Sequence, residues 1–575
     1  MMKPVISIGN QDFESIRENN RFYIDKSYFI KEWWENGDAV TLITRPRRFG
    51  KTLNMSMMEK FFSCQHAGKG RLFEGLSIWE NGEYRALQGS YPVIFLSFAA
   101  IKGADYDTAR AGIIQLLASL YGRFSFLEQS GFMARQDLEY FRSVKLDMQD
   151  AVAAFSIHFL SEYLSRYYGK KVLIFLDEYD TPLQEAYVNG YWDKMSVFIR
   201  SLFNAAFKTN PYMERGLLTG ITRVSRESIF SDLNNLEVVT VTSRKYETVF
   251  GFTEDEVIQA LKQFGQSGQI EKVRDWYDGF RFGSRKDIYN PWSITKFLDS
   301  GKFGSYWANT SSNSLIGAFI QKGTADMKIA MEHLLEGGPV STALDEEIEF
   351  SQLGSSDAAV WSLLLACGYL KADEEPQEEG GLYQLSLTNA EVRSLFCRMI
   401  RGWFDKPDVR YHDFVKALLA NDVVYMNRYM NQMTAAVFSY FDTGKKPSSQ
   451  EPERFYHGFV LGLIADSGIN YTVTSNRESG LGRYDVVLEP DNREDDAYVL
   501  EFKVHDSSSS SALSDTVQAA LRQIEEKNYD AALLAKGFTR DKIRHYGFAF
   551  DGKQVLIGEA APASHPAGSD FFFAV

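Results

Sequence analysis

The chain has 575 residues, 45% of them hydrophobic and 14% aromatic, with 62 Lys and Arg against 76 Asp and Glu and a net charge of −14. That length exceeds one hydrophobic core and predicts roughly two to four domains. The negative balance excludes a bulk field that would gather nucleic acid, so any such contact needs local basic patches.

Cys64, Cys367 and Cys397 are too widely spaced for a disulfide framework or a zinc cluster. No apolar run reaches the ~18 residues of a membrane span. The N-terminal Met-Met-Lys-Pro-Val-Ile lacks a signal-peptide pattern. A soluble chain in a reducing cytoplasm is expected.

Residues 13–36 read as a helical stretch followed by an aromatic-rich segment around Tyr23 and Tyr28. It suits the wall of an adenine pocket, or packing against a sheet edge. An apolar strand from Ala39 to Ile43 then leads into Arg45-Pro46-Arg47-Arg48-Phe49-Gly50-Lys51-Thr52, and a helical pattern follows. Strand, tight loop and helix form the setting of a phosphate-binding loop. Gly50 lets backbone N–H groups crowd an anion, Lys51 reaches the β- and γ-phosphates, and the Thr52 hydroxyl ligates Mg²⁺. The helix N-terminus adds its dipole. Arg45 occupies the position where the usual pattern has Gly. Of the flanking pair, Arg48 is expected on the nucleotide side, and at least one of Arg47 and Arg48 should find an acidic partner or a phosphate.

A second strand is expected at Pro92–Phe98, helices over 106–168, and then Lys171 to Asp180. Its five apolar residues read as a strand buried on both faces. The acidic cluster at its C-terminal end sits where α/β sheets bind ligands. Asp177 would hold Mg²⁺, and Glu178 would orient or deprotonate the attacking water. A helix over 192–207 feeds a strand ending at Thr219, Thr222 and Arg223, where Arg223 or Arg226 is placed to sense the γ-phosphate; Val238–Thr242 is a fifth strand. Strands alternating with helices predict a parallel, doubly wound sheet.

The segments RPRRFGKT, LIFLDEYDTPL, LLTGITRVSRESIFSDLNNL, WYDGFRFG and IYNPWSI occur in that order. Together they resemble the bacterial AAA-ATPase-like family whose members carry a C-terminal PD-(D/E)xK nuclease-like domain. The resemblance covers nearly the whole chain and implies that Arg at the first loop position is usual. WYDGFRFG and IYNPWSI suggest turns and aromatic packing but no chemistry.

Residues 300–445 read as mainly helical, with a helix pair over 351–370, a loop over 373–381 and a strand over 383–387. A helical lid with a small winged-helix-like piece is expected. Thr443–Gln450 reads as a linker by composition. Beyond it, Glu453–Ile464 is an amphipathic helix. Next come Glu478, Gly480, Gly482, Arg483, Tyr484 and Asp485, then two apolar runs joined by a charged turn. That pattern predicts a hairpin in which Asp485 opens one strand while Glu501 and Lys503 end the next. Period-two geometry puts Glu501 and Lys503 on one face. Asp485 and Glu501 would share a divalent ion, and Lys503 would activate or position water for phosphodiester hydrolysis. Gln518 and Gln523 on the following helix support the pattern, Glu478 is a further acidic candidate, and Ser507–Ser511 reads as a mobile loop.

The expected architecture is α/β: a P-loop NTPase parallel sheet with a helical lid, plus a C-terminal restriction-endonuclease-like α/β domain. The expected division is 1–300, 301–445 and 446–575. ATP and Mg²⁺ are the expected cofactors. Nucleic acid, DNA ahead of RNA, is the expected partner; a homo-oligomer and a protein partner stay open. Two rivals remain at this stage: a nucleotide-switched signalling protein with an inactive nuclease-like module, and a nucleic-acid motor that cleaves nothing.

Overall fold

The computed structural model describes residues 4–222, 230, 233–307, 316–317, 319–320, 325–335, 337–344, 353, 356–374, 381–404, 412–438, 471–475, 478–479, 482–483, 485–505, 512–551, 554–560 and 572–573. Two compact units divide it: residues 1–324 with 333–395, and residues 325–332 with 396–575.

The first unit is built on five parallel strands, β1 (Val40–Thr44), β2 (Val93–Ser97), β3 (Val172–Asp177), β4 (Met213–Gly220) and β5 (Leu236–Val239). Their spatial order is β2-β3-β4-β1-β5. β1 and β3 are buried along their whole length, as expected for a sheet covered on both faces. The helices used below are α1 (Lys51–Phe62), α2 (Tyr106–Arg123), α3 (Asp150–Tyr168) and α4 (Trp192–Phe203). The apolar residues of α2, α3 and α4 join β2, β3 and β4 in one core around Ile113, Leu160, Ile174 and Ile199. β4 lies between β1 and β3, so the basic loop and the acidic cluster flank the end of an intervening strand.

Two small antiparallel sheets complete this unit. One has the order β6-β8-β7, from β6 (Phe252–Thr253), β7 (Phe280–Phe282) and β8 (Arg285–Tyr289). The other has the order β10-β11-β9, from β9 (Val340–Thr342), β10 (Leu370–Glu374) and β11 (Tyr383–Leu387). Helix α5 (Pro291–Ser300) opens on Asn290, whose Oδ1 accepts from the N–H groups of Trp292 and Ser293, and it closes on left-handed Gly301. The helix pair expected over 351–370 is, among the described residues, one helix, Asp357–Ala366. Gly368, at φ +82°, turns the chain into β10, which begins at Leu370.

The second unit contains a six-stranded sheet in the order β12-β15-β16-β17-β18-β19. Its strands are β12 (Tyr471–Ser475), β15 (Val486–Pro490), β16 (Ala497–Val504), β17 (Ile543–Asp551), β18 (Gln554–Glu559) and β19 (Phe572–Phe573); β13 (Glu478–Ser479) and β14 (Gly482–Arg483) form a separate hairpin. Among the described residues of this sheet, only β16 and β17 pair in parallel. Helix α6 (Ala390–Phe404) precedes α7 (His412–Leu419) and α8 (Val423–Phe438), and α9 (Leu513–Glu526) follows β16. Alternation along β16 sends Tyr498, Leu500 and Phe502 to a core with α7 and α8, and Val499 to the α9 core. Glu501 and Lys503 therefore face the α9 side.

α7 and α8 lie within the 301–445 segment by sequence yet pack on the C-terminal sheet, so the second compact unit takes them in from Phe396 onward. The expected linker at 443–450 and the helix at 453–464 lie outside the described residues. Asn427 and Asn431 of α8 cover the edge of β18. Asn427 Nδ2 donates to Ile557 O at 2.8 Å, and Ile557 N–H donates back to Oδ1 at 2.8 Å. Asn431 makes the same exchange with Val555 at 2.7 and 3.0 Å. Two amides one helical turn apart thus stand in for a neighbouring strand. Asn427→Ala leaves the Ile557 N–H and C=O without these partners and is expected to cost about 2–4 kcal/mol. A urea melt reads this, and a loss under about 0.5 kcal/mol would refute the edge-capping role.

Candidate functional site

In the first unit the basic loop bridges the end of β1 and the start of α1. Gly50, at φ +82°, precedes the helix, and Arg48 is also left-handed at +65°. Lys51 is buried and its Nζ donates to the carbonyls of Arg45 (2.9 Å) and Pro46 (2.8 Å). Burial pushes its ammonium pKa down, opposed by the charges of Glu178, Asp180 and Asp177.

Thr52 Oγ1 donates to Asp177 Oδ2 at 2.8 Å. Ser97 Oγ donates to the same oxygen at 3.2 Å, and Thr219 Oγ1 donates to Oδ1 at 2.8 Å. Asp177 is thus a fully buried carboxylate held by three hydroxyls from the loop helix, β2 and β4. Glu178 follows at φ +50°, a strained conformation for a non-glycine residue. Burial pushes its carboxyl up and Lys51 pulls it down. Tyr179 and Asp180 close on Thr222: the Tyr179 hydroxyl donates to its carbonyl at 2.8 Å, and Asp180 Oδ2 accepts from its N–H and its hydroxyl, both at 3.0 Å.

Arg45 does not reach toward an anion. Its guanidinium is fully buried and donates to the carbonyls of Thr44 (2.9 Å) and Thr240 (2.6 Å), with longer contacts to those of Lys245 and Tyr246. It also lies 4.6 Å from the Phe282 ring centre. Burial lowers its pKa to about 9. Arg48 is exposed, and its guanidinium stacks 4.5 Å from the centre of the Trp292 ring. Arg47 is the arginine on the acidic side: its charge acts on both Lys51 and Glu178. Among the described residues its guanidinium donates to a neutral group, Gln184 Oε1, at 3.3 Å. Among the described residues neither guanidinium is bonded to a carboxylate, contrary to what is expected of Arg47 or Arg48. Arg223 and Arg226 lie outside the described residues.

The two motifs without assigned chemistry hold the loop in place. Phe49 packs edge-on against Phe280 and Phe282 of WYDGFRFG, with ring centres 4.8 and 5.3 Å away. Gly279, at φ +113°, lets Thr388 approach so closely that a Cβ would lie 2.0 Å from its carbonyl oxygen. Asn290 of IYNPWSI donates to the Arg47 carbonyl at 3.4 Å, and the Trp307 indole donates to it at 2.9 Å. Buried Glu391 accepts from the Trp307 N–H at 2.6 Å and from the Ser293 hydroxyl at 2.8 Å. Near the N-terminus, Phe13 and Tyr23 pack on each other, and the Tyr23 hydroxyl meets Met57 of α1.

The loop fits a nucleotide with Mg²⁺. A hydroxyl and a carboxylate already converge at Thr52 and Asp177, both hard oxygen donors, and the Lys51 ammonium waits on loop carbonyls it can release.

In the second unit, Val486 pairs with Leu500, which sets Asp485 at the level of Glu501 across the β15–β16 hairpin. Asp485 Oδ2 accepts the Phe502 N–H at 2.8 Å. Glu501 is only 2% exposed. Gln523 of α9 joins it to Lys503: Nε2 donates to Glu501 Oε1, and Oε1 accepts from Lys503 Nζ at 2.7 Å. Gln523 also donates to the Tyr529 hydroxyl at 3.2 Å. Burial pushes the Tyr529 hydroxyl up, and the charges of both Glu501 and Asp485 add to that. α9 reaches this depth because β17 carries Gly547 beside Glu501, where a Cβ would lie 2.8 Å from the Val517 carbonyl. The strand pairing of Glu478 is described but its side chain is not, and Ser507–Ser511 lies outside the described residues. Tyr529 carries no recognisable signal in the sequence, since only the fold brings it to Gln523.

Among the described residues no group of three or more His, Cys, Asp or Glu is placed to hold a metal. Asp485 and Glu501 still fit one divalent ion, because Mg²⁺ binds through one or two carboxylates and keeps several waters. Among the described residues, no helix is long and apolar enough to cross a membrane.

A parallel sheet with a GKT loop facing a buried aspartate defines a P-loop NTPase domain, and an Asp…Glu-x-Lys hairpin backed by a helix defines a nuclease-like one. Comparison with known families agrees with both. Residues 7–230 match the family described as "Predicted AAA-ATPase" and residues 451–560 match the PD-(D/E)XK nuclease superfamily. The chain therefore joins an AAA-ATPase-like domain to a PD-(D/E)XK nuclease-like domain. It is 24% identical over 569 residues to an uncharacterized protein encoded in the vnfD 5′ region of Azotobacter chroococcum mcd 1, covering 96% of this chain and 99% of that protein. A match to a structure of the Drosophila ORC bound to AT-rich DNA and Cdc6 covers 67% of this chain and 93% of that one, at 12% identity and a TM-score of 0.15.

Proposed function

We propose that the protein binds and hydrolyses ATP with Mg²⁺, and that nucleotide state gates a metal-dependent phosphodiesterase acting on nucleic acid, DNA ahead of RNA, in the cytoplasm. The observation that carries this is the coexistence in one chain of the Thr52–Asp177 contact beside Lys51 and the Asp485/Glu501/Lys503 set joined by Gln523. A role in defence or mobile-element handling goes with this reading by family analogy alone.

In the first site Lys51 holds the β- and γ-phosphates, Thr52 and Asp177 hold Mg²⁺, and Glu178 takes the proton of the attacking water. Its raised pKa moves it toward a working base. Arg47, whose charge acts on Lys51 and Glu178, would be the cation for the γ-phosphate, Arg48 would join it only by leaving Trp292, and Arg223 would be the candidate sensor. In the second site Asp485 and Glu501 hold a divalent ion, which supplies Lewis-acid polarisation of the phosphate. Lys503 positions water, and Gln523 fixes the Lys503 ammonium and the Glu501 carboxylate relative to each other. The part of the 301–445 segment that stays with the first unit, up to Leu395, would serve as the lid that couples nucleotide turnover to cleavage.

Glu178→Gln is expected to keep ATP affinity and slow turnover about 100-fold or more. Phosphate release beside calorimetry reads this, and equal turnover removes Glu178 from its role. The reading as a whole is tested by cleavage of single- and double-stranded DNA and of RNA with Mg²⁺ or Mn²⁺, with and without ATP. Metal binding without cleavage under every condition would favour the inactive binding-module rival.

A further inference from the structure

Gln184 stands between two parts of the nucleotide site. Its Oε1 accepts from Arg47 of the phosphate loop at 3.3 Å, and its Nε2 donates to Asp180 Oδ2 at 2.8 Å. Asp180 is 1% exposed, and the same Oδ2 also accepts from the N–H groups of Ile221 and Thr222 and from the Thr222 hydroxyl, all at 3.0 Å. Its Oδ1 is buried without a hydrogen-bond partner among the described residues. Among the described residues, one carboxylate oxygen thus carries four donors while the other carries none. That lopsided arrangement is costly for a buried charge and is easily redistributed.

We infer that Arg47, Gln184 and Asp180 form a relay that reports occupancy of the phosphate loop to the end of β4, and that Asp180 is a positioning residue for turnover. The inference rests on the ATPase reading above. A long bond from a guanidinium to a neutral amide is weaker than a bidentate bond to phosphate, in which both partners are charged. An anion in the loop therefore draws Arg47 off Gln184. The Gln184 amide is then free to turn, and Asp180 loses one of its four donors. The carboxylate regains balance by shifting its grip on Ile221 and Thr222, the residues at which β4 leaves the sheet. Thr219, two residues upstream of Ile221, is bonded to Asp177, so the same movement reaches the Mg²⁺ ligand. No proton or covalent bond changes hands.

The test uses the full chain and the non-hydrolysable analogue AMP-PNP with Mg²⁺. Hydrogen exchange of the peptide covering residues 213–222 is measured with and without the analogue, in wild type and in Gln184→Leu. Binding is confirmed separately by calorimetry. The expected result is an exchange change of about tenfold at Ile221 and Thr222 in wild type, the scale of one hydrogen bond to a charged group. In Gln184→Leu the change is absent although AMP-PNP still binds. Thr222→Val, which keeps the fold's volume and removes one donor, should lower kcat with KM nearly unchanged. Its effect should be non-additive with that of Arg47→Met in wild type and additive in Gln184→Leu. An equal exchange change in wild type and Gln184→Leu overturns the relay, as does no change in wild type despite binding. Failure of wild type to bind AMP-PNP at all overturns the ATPase reading, and the relay with it.

Discussion

Lys51→Ala is expected to weaken ATP binding by about 100-fold, since it removes two or more charge-assisted bonds to phosphate. In the structure the Lys51 ammonium rests on the carbonyls of Arg45 and Pro46, both within the loop it must serve. Nucleotide therefore exchanges one set of acceptors for a more strongly charged one, and the buried ammonium gains a counter-charge. The variant should also lose turnover while its second unit stays folded. Calorimetry with ATP and Mg²⁺ reads the affinity, and circular dichroism confirms the fold. Unchanged affinity would end the phosphate-loop assignment.

Asp485→Ala is expected to abolish both metal stabilisation and any cleavage. In wild type two carboxylates on adjacent strands repel until a divalent ion joins them. A metal at 100 times its dissociation constant then stabilises the unit by about 2.7 kcal/mol. The thermal melt of wild type should rise with Mg²⁺ or Mn²⁺, and that of Asp485→Ala should not. Lys503→Ala should keep the metal-induced rise yet lose cleavage, because Lys503 reaches Glu501 through Gln523 and is not a metal ligand. ATP turnover should survive both changes. A melt that ignores metal in wild type would remove the site.

The two sites differ in how far the sequence reveals them. Lys51, Thr52 and Asp177 are readable because a loop and a buried strand each leave a local signature, and one hydroxyl–carboxylate contact joins them. The Glu501–Lys503 face is readable from alternation alone. Arg45 is not: its partners at Thr240, Lys245 and Tyr246 lie about two hundred residues away, so nothing near it marks a buried staple. Asn290 and Trp307 are hidden for the same reason, since what they bind is a backbone carbonyl, which has no sequence signature. The division of the chain is obscured differently. α7 and α8 look like more of a helical region, yet their apolar faces join the core of the C-terminal sheet, and Asn427 and Asn431 of α8, spaced one turn apart, bond a strand edge 124 to 130 residues later.

Those long-range supports also impose an order on synthesis. The phosphate loop leaves the ribosome early, at residues 45–52, but its conformation leans on Thr240, Phe282, Asn290 and Trp307. Until Trp307 has emerged, the nascent loop lacks the groups that shape it, and closing such large loops carries its own entropic cost. Domains generally fold as units during translation. The loop therefore takes its final shape in one late step, after more than half the chain exists.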